Sequence, residues 1–480
     1  MLCCWVATLL LAETACAGGS GSAQAPAPSP TPTPIRSGPA TTAQVDGLQH
    51  RSFQYFWDSA NPANGLVPDR YPTPSFSSVA AVGFALTAYA VGVEHGWVTR
   101  SDAAARTLTT LRFLRDLPQG DAATGTAGFH GYYYHFLDMT TGLRYQTTEL
   151  STIDTALLMA GVLSAQQYFG GSDATETEIR SVADTLYQRV EWDWLADAQG
   201  LIAMGWKPDV GQYPARWVGY NEAMLLYVLA IGSPTHPVKG SAWAGWTSGY
   251  DRTWTTEYGQ TYLSFPPLFG HQYSHVWIDF NGIQDDYMKA KNSDYFKNSR
   301  AATYAQQAYA KQNTLGYVGY DDQVFGVTAC DGPGAMTLTV NGVTRKFYGY
   351  AGRGMGGLNT YDDGTLAPTG VVSSIAFAPE IVLPAIGALL ARYGDYLYGT
   401  YGFLDAFNPT LPAGTTVQSG KTIAGKGWVD VDYLGIDEGP IVAMIENYRT
   451  GFVWSLMRAN PVIKAGLKGA GFTGGWVDAP

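Results

Sequence analysis

The sequence predicts an all-α fold: an (α/α)6 toroid with long loops and a small β-hairpin insertion. Three observations predict it. Strongly apolar helical stretches begin near Ser77, Ser151, Asn221, Ile278, Ser373 and Ile436. They are apolar on nearly every side, as a helix packed all round must be. Amphipathic stretches, charged along one side, lie between several of them and suit an outer layer. Long loops rich in Tyr, Trp and Gly precede the apolar helices and would gather at one rim. The starts fall at uneven intervals of about 55 to 95 residues, read as loop insertions.

Taken in order, the chain opens on a short apolar run, Met1 to Ala17, ending in Ala15-Cys16-Ala17. A small-x-small ending of this kind is an export cleavage signal, although this run carries no Lys or Arg. A lipidated Cys16 is the alternative, but Glu13 stands where such a signal wants an aliphatic residue, and soluble export is favoured. Residues 18–45 (with the run APAPSPTPTP) read as an extended, disordered tether, and residues 46–480 as one domain. The expected helices are then Asp46–Ser59, amphipathic; Ser77–Glu94, small and apolar; Ser101–Leu117, amphipathic; Ser151–Phe169, apolar; and Asp173–Val190, amphipathic. Next comes a buried helix capped by Asn221 with Glu222 in its first turn, stopped by Gly232, Ser233 and Pro234. A mixed segment from Ile278 to Ala290, an amphipathic Tyr295–Lys311, an apolar Ser373–Tyr393 and an apolar Ile436–Thr450 complete the helical list. Between Gly326 and Tyr350 the alternation of MTLTVNGVTRKF predicts a hairpin turning at Asn341-Gly342.

Composition narrows the partners. Net charge is −11, charged residues make up 14% and aromatics 13%, with 14 Trp and 31 Tyr. No concentrated Lys/Arg patch exists, so nucleic acid and anionic membrane are excluded as partners and a neutral ligand fits better. No stretch is long and apolar enough for a membrane span, and a monomer is expected. After cleavage at Ala17 only Cys330 remains, so no internal disulfide can form. CxxC and HExxH motifs are absent, and no cofactor or metal is expected. The Gly-rich stretch YAGRGMGGLNTYDDG lacks the strand-before, helix-after context of a nucleotide site.

The carboxyls that start apolar helices carry the chemical argument. Glu222 stands in GYNEAML, before a buried helix and among Trp206, Trp217 and Tyr220. Glu149 and Asp154 lie in TTELSTIDTALL, and Asp437, Glu438 and Glu446 in GIDEGPIVAMIENYR. Glycosidic hydrolysis needs two such groups, one to protonate the leaving oxygen and one to serve water or the anomeric carbon. Each could instead be a helix cap, and Glu446 could simply pair with Arg449. Neutral donors, acceptors and ring faces suit sugar hydroxyls and rings. On that ground Arg70, His130, Tyr132, Trp206, Trp217, Tyr220, His271, His275, Trp277, Asp279 and Glu446 are candidate substrate contacts.

Four blocks then carry a resemblance: ELSTIDTALLMAG, WVGYNEAMLLYVLAIGSPTHP, HQYSHVWIDFNGIQDDYMKAKNSDYFKNSR and GIDEGPIVAMIENYRTGFVWSLM. Together, over about Asp46 to Leu467, the chain resembles the bacterial glucoamylase-like group that contains glycoside hydrolase family 144. The resemblance implies an (α/α)6 barrel, inverting hydrolysis of β-1,2-glucan without a metal, and Glu222 as general acid. In related β-1,2-glucanases the proton passes through a substrate hydroxyl. Asp154, Glu149 and Asp437 are the candidates for the base, in no fixed order. A secreted or periplasmic endo-glucanase is expected. An exo-acting, sophorose-releasing enzyme, a same-fold enzyme on another glucan and a non-catalytic glycan-binding protein are the alternatives.

Overall fold

A computed structural model describes residues 36–356 and 360–479. The export run and all but the end of the tether fall outside the described residues. Among the described residues the helices are α1 (Thr42–Ser59), α2 (Val79–Glu94), α3 (Arg100–Asp116), α4 (Thr152–Tyr168), α5 (Ala174–Gln188), α6 (Met224–Gly232), α7 (Ser241–Thr247) and α8 (Tyr273–Trp277). They continue with α9 (Asp286–Ala290), α10 (Tyr295–Gln312), α11 (Pro368–Val372), α12 (Pro379–Leu397), α13 (Gly435–Arg449), α14 (Phe452–Arg458), α15 (Pro461–Gly469) and α16 (Gly475–Asp478). The strands are short and form small two- and three-stranded pairings. No described helix is long and apolar enough to cross a membrane.

The expected apolar helices near Ser77, Ser151, Asn221 and Ile436 are α2, α4, α6 and α13. They are buried on nearly all sides; every residue from Val79 to Gly92 is inaccessible or almost so. α2 packs on α4, α4 on α6, α6 on α8, α8 on α13, and α13 back on α2. α1, α3 and α5 lie outside them, α1 on α13 and α2, and α3 and α5 on each other and on α2 and α4 respectively. The α2–α4 crossing is closest at Gly83 and Gly161: a Cβ on either would land on backbone of the facing helix.

Four expectations are corrected. The first helix begins at Thr42, four residues before Asp46. Thr41 and Gln44 form a capping box, which composition alone did not flag. The end of the expected tether lies on the body, with the Ala40 N–H donating to Leu383 O at 2.8 Å. No helix begins at Ile278; that residue ends α8, and α9 starts at Asp286 behind its Asp285 cap. No helix begins at Ser373, which instead ends α11 as its C-cap; the apolar stretch after it becomes helical only at α12, where Pro379, unable to donate a backbone hydrogen bond, takes the first turn. The hairpin is as expected: Met336–Val340 pairs with Val343–Phe347, and Asn341 and Gly342 take φ of 51° and 79° at its turn.

Two-residue strands lead into three buried helices. Ser77–Ser78 enters α2, Leu150–Ser151 enters α4 and Tyr433–Leu434 enters α13. Each pairs antiparallel with a neighbouring loop: with Phe136–Leu137, with Gly205–Lys207 and with Arg70–Tyr71. These ladders hold the aromatic loops against one end of the buried helices.

Candidate active site

That end gathers the acids. Glu222 does not lie in the first turn of α6, as expected, but in the turn just before it. The Asn221 side chain accepts from the Ala223 N–H at 2.9 Å and closes that turn instead of capping the helix. The N-cap of α6, Ala223, brings no side-chain bond. Ser274 of α8 supplies one: its hydroxyl accepts from the Leu225 N–H at 3.0 Å and donates to the Glu222 carbonyl at 2.9 Å. Glu222 is 8% exposed, and its Oε2 has no hydrogen-bond partner. Burial, with Asp154 adding to it, pushes its pKa to about 7. It therefore keeps a proton in mildly acidic water.

Asp154 lies in the first turn of α4, bonded to the Ser151 cap by backbone and side chain. Beside it stands His135, a residue sequence reasoning missed. Its Nδ1 meets Glu149 Oε1 at 2.9 Å and its Nε2 faces Asp154 Oδ2 at 3.5 Å. Burial opposes a charge on the ring, but Asp154, Glu149 and Asp69 outweigh it and raise its pKa to about 9. The usable signal is strand pairing: the His135 N–H donates to the Glu149 carbonyl at 2.8 Å beside the Tyr134–Leu150 bridge, so the two residues are neighbours on adjacent segments.

Asp437 opens α13 beside Glu438, both buried, and burial raises both carboxyls well above the ordinary range. Asp405 packs against Asp437. It is raised likewise by burial and by Asp437 and Asp331, and its Oδ2 accepts from the Asp331 N–H at 2.8 Å. Asp331, Asp405 and Asp430 bring carboxyl oxygens within 4.8 Å of one another and are the one described group that could hold a metal ion. Arg70 pairs with Asp331 at 2.5 Å and with Asp69 at 3.2 Å. Burial pushes Asp430 to about 9. Charge in this group is thus balanced by Arg70 and by protons. None of these aspartates but Asp437 had been singled out, because each sits in a loop with no helical or motif context.

Tyr273, half-buried at the start of α8, stands amid the acids. Burial first, then Asp437, Tyr350, Glu222 and Asp154, push its phenol well up. Three of the four expected catalytic carboxyls thus act electrostatically on one phenol, and Glu149 is linked to Asp154 through His135.

The expected sugar contacts divide. Arg70 lies in the acid cluster. His130 pairs with Glu191 at 2.7 Å and stacks on Trp194 at 4.2 Å. Trp206 lies beside Phe129 and Trp194 on the strand next to Leu150. Trp217, 8% exposed, donates to Thr152 Oγ1 at 2.9 Å. Seven expectations are corrected by burial. Tyr132 is inaccessible and donates to the Trp192 carbonyl. Tyr220 stacks on Tyr295, and its ring faces are covered. Trp277 stacks on Phe84 and donates to Thr87. His271 and His275 are buried and held neutral, burial lowering each to about 3. Asp279 pairs with Arg458 and serves as structure. Glu446 is at the far end of α13, held by His95 at 2.6 Å, Gln49 at 2.9 Å and Thr450 at 2.7 Å, while Arg449 pairs with Asp46 instead. The segment His271–Asp279 was dense in polar and aromatic residues because it ties helices together, a use that composition cannot separate from ligand binding.

The family model described as "Putative glucoamylase" matches residues 214–461. A putative glucoamylase from Bacteroides uniformis superposes with a TM-score of 0.77 at 32% identity, covering 90% of this chain and 98% of the other. An endo-β-1,2-glucanase from Chitinophaga pinensis, in complex with sophorotriose and glucose, gives 0.76 at 27% identity, covering 90% and 99%. An exo β-1,2-glucooligosaccharide sophorohydrolase (non-reducing end) from Parabacteroides distasonis is 28% identical over 90% of this chain, which spans 58% of that relative's length.

Proposed function

The chain belongs to the Putative glucoamylase family, and from that premise we propose that it is an exported glycoside hydrolase cleaving β-1,2-glucan endo-fashion with inversion. The buried helices α2, α4, α6, α8, α11 and α13 are the inner layer of an (α/α)6 toroid, and the acids at their entry end line the cleft. One observation carries the reading: Glu222 is a buried carboxyl with an unpartnered oxygen, raised to about 7 among other acids. That is the environment a general acid needs, since it must hold its proton until the leaving oxygen takes it.

In this reading Glu222 delivers a proton to the glycosidic oxygen, directly or through a substrate hydroxyl. Asp154 takes a proton from the attacking water on the opposite face. The His135 imidazolium stands beside Asp154, and Glu149 orients that ring through Nδ1. Asp437, pushed toward its protonated form, donates to a sugar hydroxyl rather than acting as base. Inversion needs the acid and base carboxyls roughly 6.5 to 9.5 Å apart, or farther with a hydroxyl relay. Trp194 and Trp206 stack on glucose rings and Arg70 binds hydroxyls at the rim. Endo action is the first reading because the chain covers nearly all of the endo-acting C. pinensis structure. The sophorohydrolase likeness supports a second, exo-acting reading.

The test is incubation with linear β-1,2-glucan and sizing of the products. A ladder of short oligosaccharides supports the endo reading; sophorose alone replaces it with the exo one; no cleavage of this glucan overturns the substrate. Glu222→Gln keeps the shape and removes the proton, so turnover should fall by about 10²- to 10⁴-fold. Wild-type turnover in that variant would remove Glu222 from the mechanism.

A further inference from the structure

α8 is only five residues long, yet four helices besides α6 bond to it. Trp277 donates to Thr87 of α2 at 2.9 Å. Asn447 of α13 donates to the Val276 carbonyl at 3.0 Å. The indole of Trp454 in α14 donates to the His275 carbonyl at 2.6 Å, and Ser299 of α10 meets His275 Nε2 at 3.1 Å. Two adjacent residues reach the turns that carry acids. Ser274 bridges the Glu222 carbonyl and the Leu225 N–H, and the Tyr273 hydroxyl donates to the Ile436 carbonyl, immediately before Asp437, at 3.1 Å.

We propose that Ser274 and Tyr273 are positioning residues: Ser274 caps α6 from a different helix, and Tyr273 ties that cap to the turn of Asp437, so that α8 sets where Glu222 stands relative to the other acids. The physical reason lies in the first free N–H groups of α6. A helix start needs side-chain acceptors, and Ala223 has none. With the cap borrowed from α8, the Glu222 turn can move only if α8 moves, and α8 is held by α2, α10, α13 and α14. Ring contacts hold Tyr273 in turn, with Phe84 at 5.8 Å and Phe269 at 5.1 Å. The ionisable groups facing Glu222 are Asp154 from α4 and the Tyr273 phenol from α8 itself.

The inference rests on Glu222 being the acid, so Glu222→Gln is measured beside Ser274→Ala and Tyr273→Phe. Ser274→Ala should lower kcat by about 10- to 100-fold with KM within about twofold, because ground-state contacts to the glucan stay while the acid is misplaced. The basic limb of its pH profile should also move from wild type, since the proton source sits in a changed environment. Tyr273→Phe, which removes only a hydroxyl from a half-buried ring and should keep the fold, should act in the same sense more weakly. Wild-type kcat and an unmoved limb in both variants would overturn the proposal. A fall in kcat that merely tracks the folded fraction, with the limb unmoved, would overturn it too. If Ser274→Ala does not fold, Tyr273→Phe decides alone by the same readouts. Wild-type turnover in Glu222→Gln would instead bring down the assignment of the acid, a result distinct from either.

Discussion

His135 shows how one side chain can decide the protonation of a site. Its pKa stands at about 9, above the ordinary 6.5. The stability it contributes is therefore full below about 6.5 and is lost as pH rises through about 9. His135→Gln leaves Glu149 and Asp154 without their counter-charge and should destabilise the protein by about 3 kcal/mol near neutral pH. Chemical denaturation at pH 6 and pH 10 tests this: the gap between variant and wild type should shrink at the higher pH. Glu222 titrates in the same sense at lower pH. Its pKa of about 7 lies above 4.5, so the stability linked to its proton is present below about 4.5 and is lost as pH rises through 7. Glu222→Gln should consequently be the more stable protein at pH 8, by on the order of 1–3 kcal/mol. Activity should fall in wild type as pH rises through about 7, and pH profiles of kcat/KM check it.

The elements are spaced by what their contact residues permit. α2 and α4 approach at Gly83 and Gly161, where each lacks the atom that would strike the other's backbone. Gly161→Ala should push the two helices apart and lower stability by about 2 kcal/mol, read as a lower melting temperature. It should also disturb activity, because α4 carries Asp154 and α2 abuts α13, which carries Asp437. α6 stands at the other extreme: nine residues, fully apolar in its buried part and without its own cap. An isolated helix of that length has little stability in water, so its start depends on tertiary partners. The sequence pattern identified the helix but put its first turn two residues early, because Asn221 looks like a cap while its side chain closes the preceding turn.

For the whole molecule, a net charge of −11 with paired arginines and a neutral substrate predicts little salt sensitivity. KM for β-1,2-glucan should stay within about twofold between roughly 0.05 and 0.5 M NaCl, measured by reducing-end release. Hydrophobic periodicity determined the buried helices α2, α4, α6 and α13 and the outer helices α1, α3 and α5, though not the starts expected at Ile278 and Ser373, because a residue's face on a helix follows from its position in the chain alone. It also placed Asp154, Glu222 and Asp437 at helix entries and located the Asn341-Gly342 turn. The tertiary structure alone decided which polar residues meet. His135, Asp331, Asp405 and Tyr273 come from loops or a short helix, and their roles arise from neighbours more than a dozen residues away in sequence. Tyr132, Tyr220, Trp277, His271 and His275 looked like ligand contacts and are core residues for the same reason. A side chain's chemistry is written in its type, but its burial and partners depend on distant segments folding against it, and no local pattern contains that information.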